Sequence, residues 1–230
     1  MSEWWTYTLA DVLLFSPQTY YRLFELYNRD IWPLQILALA LGAVVAVLVF
    51  RGSTRQGRAV SAILAASWLW VAWAFHLHRY ATINWAAPWF GAVFAGQAAL
   101  LIWMGVMRGQ LVYRATMSFR TRAGFGLLVF ALVMQPLIGH FAGSAWAQVE
   151  LFGIAPDPTA IATLGVLLTA ERVPLTLLVI PVLWCVVSGA TLWAMASPLA
   201  FIPPLAALAA LVLAIVSGNN WFRGRAAPTD

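Results

Sequence analysis

His76, His78 and His140 are the residues of this sequence best suited to ligate a metal. Imidazole is a good donor to zinc, copper and iron, pairs of imidazoles hold haem, and Glu150 and Asp157 downstream add carboxylate oxygens. A metal or haem site built from His78, His140 and His76 is therefore one reading. On an α-helix His76 and His78 point roughly 200° apart, so only one can face a given centre. The neighbours of His78 on its own face, Ala74, Val71 and Ser67, are small, which selects His78 as the inward-facing imidazole. The alternative is three interfacial histidines bonded to loops or lipid headgroups, and no HxxH, HxxxH or ExxH spacing tips the balance towards metal. The single cysteine, Cys185, sits in an apolar run, so one chain can build neither a disulfide nor a CxxC pair, and packing is its expected role.

A second set of residues would suit a substrate path. Gln97 and Gln135 fall in the middle of apolar stretches, and Gln135 precedes Pro136. A carboxamide in hydrocarbon needs a partner, so each is either part of a polar path or interhelical glue. Asp157 and Thr159, in the run Ala155-Pro156-Asp157-Pro158-Thr159, open a short apolar segment. Asp or Thr there would cap helix amides, with proline in the first turn; an exposed helix start could otherwise shape a pore, where Asp157 would repel an anion and favour a cation. Glu171 and Arg172 are expected to pair or to reach the interface. No nucleophile elbow, phosphate-binding glycine loop, HExxH or paired intramembrane carboxylate is apparent, so no catalytic residue is assigned. All thirteen basic residues are Arg and none is Lys, which excludes a retinal Schiff base despite a seven-segment pattern.

The elements that must position these residues follow from composition. With 63% apolar and 9% charged residues, the chain departs from the roughly 25% charge of soluble domains. Crossing a bilayer takes about 20 mainly apolar residues, because each backbone amide must find its partner within the segment. Seven stretches approach that requirement: 33–50, 59–78, 87–107, 124–142, 158–170, 174–194 and 199–217. The fifth is short and either crosses or re-enters. Placing the first loop inside gathers Arg51, Arg55, Arg58, Arg108, Arg114, Arg120, Arg122, Arg172, Arg223 and Arg225 on the cytoplasmic side. Arg22, Arg29 and Arg79 remain outside with Glu3, Asp11, Glu25, Asp30, Glu150 and Asp157, which orients the N-terminus out and the C-terminus in. The opening Ser2-Glu3-Trp4-Trp5 lacks a basic start, so a retained N-terminus is expected.

Ser16 and Pro17 are a helix cap and first residue, and Tyr20, Leu23, Phe24 and Tyr27 form one apolar face opposite Arg22, Glu25 and Arg29. That helix is expected to lie in the outer interface, or to dock on the ends of the bundle with the same stripe. Trp32, Trp85, Trp89, Trp146, Trp193 and Trp221 fall near segment ends, as interfacial anchors do, while Trp68, Trp70 and Trp73 lie deeper. Gly91, Ala95 and Ala99 put small residues at every fourth position of the third segment, predicting a central helix.

The expected architecture is thus an all-α membrane bundle of about seven transmembrane helices, six long and one short. It comprises an outer interfacial segment (1–32), the bundle (33–217) and a cytoplasmic tail (218–230). The pieces Tyr27-Asn28 through Ile31-Trp32-Pro33, Ile83-Asn84 with Ala86, and Pro156 through Gly165 resemble an uncharacterised bacterial domain-of-unknown-function family of multi-pass membrane proteins. In relatives this resemblance implies a Cys-Pro-Thr turn where Asp157 stands, so a thiol site there does not carry over. Three functions fit: a small-molecule or ion permease; a periplasm-facing metal- or haem-binding redox subunit; or a non-catalytic assembly partner, as a homo-oligomer or a subunit of a membrane complex. The lipid bilayer is the expected partner in each case. Short Arg-bearing loops without a basic soluble face argue against nucleic acid.

Overall fold

The computed structural model describes residues 15–51, 53–113, 118–143 and 145–224, with side chains through residue 216. The expectations for Glu3, Asp11, Arg114 and Arg225, and for the side chains of Trp221 and Arg223, lie outside the described residues. All named elements are helical: α1 (Pro17–Asp30), α2 (Leu34–Leu48), α3 (Thr54–Trp70), α4 (Ala87–Leu100), α5 (Phe119–Val129), α6 (Pro156–Thr169), α7 (Leu175–Ala194) and α8 (Ile202–Gly224). Three continue through π-helical turns: α3 over Val71–Leu77, α4 over Leu101–Met107, and α5 over Phe130–Met134 before resuming at Gln135–Phe141. Every expected apolar stretch contains a helix. By length and hydropathy, four helices qualify alone as membrane spans: Thr54–Thr82, Ala87–Met107, Phe119–Phe141 and Leu175–Ala194. A fifth is reached if α1 and α2, bent by 90° at their junction, count as one. Many large apolar side chains face outward, among them Leu175, Val179, Leu183 and Val186 on α7 and Leu205, Leu208 and Val212 on α8. Continuous apolar surface of this kind fits hydrocarbon rather than water.

Ser16 Oγ accepts from the Thr19 amide at 3.2 Å and Pro17 takes the first turn of α1, as the sequence predicts. The stripe Tyr20, Leu23, Phe24 and Tyr27 is buried, with Phe24 and Tyr27 against Phe75 and Tyr20 near Tyr80. It docks on the bundle instead of facing lipid, since aromatic side chains at the end of α3 provide a matching apolar surface. Asn28 Nδ2 donates to the carbonyls of Ala147 and Val149, each at 2.9 Å, Tyr27 Oη donates to the Ile154 carbonyl at 3.0 Å, and Arg79 pairs with Asp30. These bonds gather α1, the end of α3 and the segment before α6 at one end of the bundle. At the opposite end Tyr113 bridges Ala170, the Glu171 amide donates to the Val112 carbonyl at 2.8 Å, and Arg120 reaches the Glu171 carbonyl.

The central element is α6. Every residue from Pro156 to Thr169 is buried, and its closest neighbour is α5. Gly165 makes this possible: a Cβ there would lie 2.6 Å from the Gly124 carbonyl oxygen and 2.7 Å from the Leu128 amide, so two backbones meet without side chains between them. The third segment, expected to be central, is peripheral. Ala99 is exposed and Ala95 half-exposed, because the buried face of α4 is set by Gly91, Phe94, Gln97 and Ala98 and continues to Leu101.

Candidate functional site

Asp157 lies in the first turn of α6, 2% exposed. It does not cap the helix: the position before α6 is Ala155, which has no side-chain cap bond. Its carboxylate turns instead to α7, where Trp184 Nε1 donates to Oδ1 at 2.8 Å and Ser188 Oγ donates to Oδ2 at 2.5 Å. Trp184 and Ser188 are four residues apart, hence on one helical face, and two donors on a rigid element offset much of the cost of burying a carboxylate. Thr159 fixes the approach to the helix: Oγ1 donates to the Ala155 carbonyl at 2.6 Å and accepts from the Gly153 amide at 2.9 Å. Gly153 takes φ +80°, a left-handed conformation that glycine adopts without strain, and reverses the chain between residues 150 and 157.

That reversal brings Glu150 to the same cavity as Asp157. Gln135, Tyr21 and Gln148 also line it, with Leu199 and Ile202 from the far side. It offers about 40 Å³ to the centres of water-sized molecules, room for roughly two or three waters. Glu150 Oε2 and Gln135 Oε1 are enclosed and receive no donor. Tyr21 Oη, the hydroxyl on the wall, is shared with Ser197 Oγ at 3.3 Å. Two acceptor atoms of the lining, Glu150 Oε2 and Gln135 Oε1, are thus left without donors. Burial, and then the negative charge of Asp157, raises the Glu150 carboxyl above the ordinary carboxylate range. Such acceptors can be met by water, a proton, a hydrated cation or a protonated amine.

Of the sequence-predicted path residues, Gln135 and Asp157 meet in this chamber, while Gln97 and Thr159 are not among its lining. Gln97 is fully buried and its Nε2 donates at 3.0 Å to the carbonyl of Leu177. Pro181 stands four residues after Leu177 and has no N–H to give that carbonyl, so the carboxamide of α4 replaces the missing helical bond of α7.

The histidines do not converge. His76, expected to point away, is fully buried and neither ring nitrogen has a partner; His78, expected inward, is exposed with its ring 4.8 Å from that of Trp73. The π turns over Val71–Leu77 advance less rotation per residue than an α-helix, which shifts the phase on which that expectation rested. His76 packs among Phe94 at 4.5 Å and Trp184 at 5.1 Å between ring centroids. His140 stacks on Trp146 at 3.9 Å. Among the described residues, no group of three or more His, Cys, Asp or Glu is placed to hold a metal ion.

Trp184 and Ser188 are the site residues that sequence reasoning missed, and Glu150 was named with Asp157 only as an oxygen ligand for the histidines. The i, i+4 placement of an indole and a hydroxyl on an apolar helix was the available signal for the first two. Nothing local announced that residues 150 and 157 would fold against each other. Beyond this geometry, no curated protein and no solved structure matches the chain. A family model described as a family of unknown function (DUF6064) matches residues 17–222, and the chain belongs to that family.

Proposed function

We propose that this member of the family is a multi-pass membrane permease which loads a proton or a small cation into the chamber of Glu150, Asp157 and Gln135. The observation that carries the reading is a pair of enclosed acceptors, Glu150 Oε2 and Gln135 Oε1, that lack donors on a small cavity which Asp157 also lines. An anion that carries no donor would leave those acceptors unmet. Ionisable groups within membrane-embedded bundles mark ion and proton pathways by default.

In this reading the protein crosses a bacterial inner membrane seven times, N-terminus outside and C-terminus cytoplasmic, and the chamber opens outward. The chemistry of the two ends supports it. Tyr21, Glu150 and Leu199 of the chamber share the end that carries Asp30 and Arg79, while Arg120 and the Val112–Glu171 contact mark the end rich in arginine. The pairing of Tyr113 with Ala170 supports a fifth segment that runs from one end to the other, because it joins the residues after α4 to those after α6.

The test is flux into liposomes containing the purified protein, read with a pH-sensitive dye and with alkali-metal ions under an imposed gradient. Glu150→Gln and Asp157→Asn should each abolish proton or cation flux in protein that still extracts and reconstitutes in folded form. Wild-type protein that moves neither protons nor cations under either gradient would overturn the proposal.

A further inference from the structure

On the flank of the bundle, a groove of about 530 Å³ runs between the α1–α2 corner, α5 and the residue 146–151 segment. Its walls change character with depth. Arg29, Asn28, Trp32 and Trp146 line the end near α1, and Ile36, Leu39 and Leu151 line the part beside α2. Ile36 and Leu39 are exposed, as are Trp32 and Trp146. Between the polar and apolar parts sits Gln35, 8% exposed. Its Nε2 donates to the Asn28 carbonyl at 2.6 Å, but its Oε1 has no partner. A buried acceptor on the wall of an open groove requires a donor from whatever occupies it.

The charge at the rim has a sign. Glu25 accepts both Arg22 and Arg29 at 2.7 Å, a triad of two guanidinium groups on one carboxylate, with net charge +1 and the Arg29 side chain 63% exposed. We infer that the groove holds a membrane phospholipid whose headgroup carries a hydrogen-bond donor, an ethanolamine or a glycerol. Its phosphate lies at Arg29, its donor at Gln35 Oε1, and one acyl chain runs along Ile36 and Leu39. The inference rests on the membrane reading and is independent of what the chamber carries. A free phosphate would satisfy Arg29 alone, leaving the apolar half of the groove open and Gln35 Oε1 unmet. The indoles of Trp32 and Trp146 suit the same depth, where an amphipathic ring meets headgroups. Pro136 and Val149 line both groove and chamber, so a bound lipid would press on the chamber wall from outside.

The experiment is native mass spectrometry of the protein released from its membrane in mild detergent, followed by competition between phosphatidylethanolamine and phosphatidylcholine of equal chain length. Extraction itself separates the two ideas: recovery without detergent sinks the membrane reading, whereas a detergent-dependent protein that carries no phospholipid sinks only the lipid site. One phospholipid per chain should survive, with the ethanolamine lipid retained over the choline lipid, which has no donor to give. Arg29→Ala and Leu39→Trp should each lower retention about ten-fold, the worth of one charged hydrogen bond or a comparable apolar contact. Both variants are at exposed positions and are checked for wild-type melting. Equal retention of the two lipids, unchanged retention in either variant, or a co-purifying protein in place of lipid would overturn the assignment.

Discussion

At the residue scale, the bond from Gln97 Nε2 to the Leu177 carbonyl and the bonds from Trp184 and Ser188 to Asp157 share one feature: each joins a polar atom of one helix to a partner on another. Gln97→Leu removes a donor from a carbonyl that Pro181 has already deprived of its helical bond. It should cost about 1–3 kcal/mol of stability. In the Gln97→Leu background, Pro181→Ala returns an amide to that carbonyl and should restore much of the loss, and thermal melting of the single and double variants in detergent measures it. Glu150 gives a prediction with a sign. Because its folded-state affinity for a proton exceeds that of the unfolded chain, the folded state binds more protons. Stability is then greatest below the ordinary glutamate range of about 4.3 and falls as pH rises through the raised value. Glu150→Gln should flatten that decline, and melting curves from about pH 5 to pH 8.5 compared with wild type would show it. A variant that keeps the wild-type slope would assign the pH dependence to other groups.

At the scale of elements, the crossing of α5 and α6 is a sharply specified contact. Gly165→Ala places a methyl group within 2.6–2.7 Å of backbone atoms that cannot rotate away, so it should cost about 1–3 kcal/mol or prevent folding. Gly126→Ala, where a Cβ meets nothing within 4 Å, should be neutral or slightly stabilising. Comparing the detergent-extracted yield and melting of the two variants isolates the crossing from a general effect of Gly→Ala. The same crossing explains what was legible in the sequence. Helix positions were readable because twenty-residue apolar runs have few other outcomes, and the cap of α1 was readable because Ser16-Pro17 acts locally. The rank of the helices was not. Small residues at Gly91, Ala95 and Ala99 looked like a seam, but which small residues touch a neighbour depends on a partner far along the chain, and Gly124 found Gly165. The phase error at His76 and His78 has a local structural cause, since π turns leave no mark in the hydrophobic pattern. The carboxyl pair was hidden for a third reason: it is created by a loop reversal at Gly153, not by spacing along one helix.

For the whole molecule, the two ends of the bundle carry different chemistry, and this yields a test of sidedness. Cys185 is buried and should be silent to a membrane-impermeant maleimide. Thr82→Cys, at the end that bears Asp30 and Arg79, should label from outside intact cells, and Arg55→Cys only after the membrane is opened. The reverse pattern would invert the proposed orientation while leaving the fold untouched. The enclosure of α6 also dictates an order of events while the chain is being made. Its fourteen residues contact α5, already synthesised, and α7 and α8, still to come. Until α8 emerges, one flank of α6 has no protein against it, and until α7 emerges Asp157 has neither Trp184 nor Ser188. The newborn protein must therefore hold a short helix with an unsatisfied acid in waiting, and a ribosome-bound chain halted before residue 184 should be the form that membrane quality control recognises.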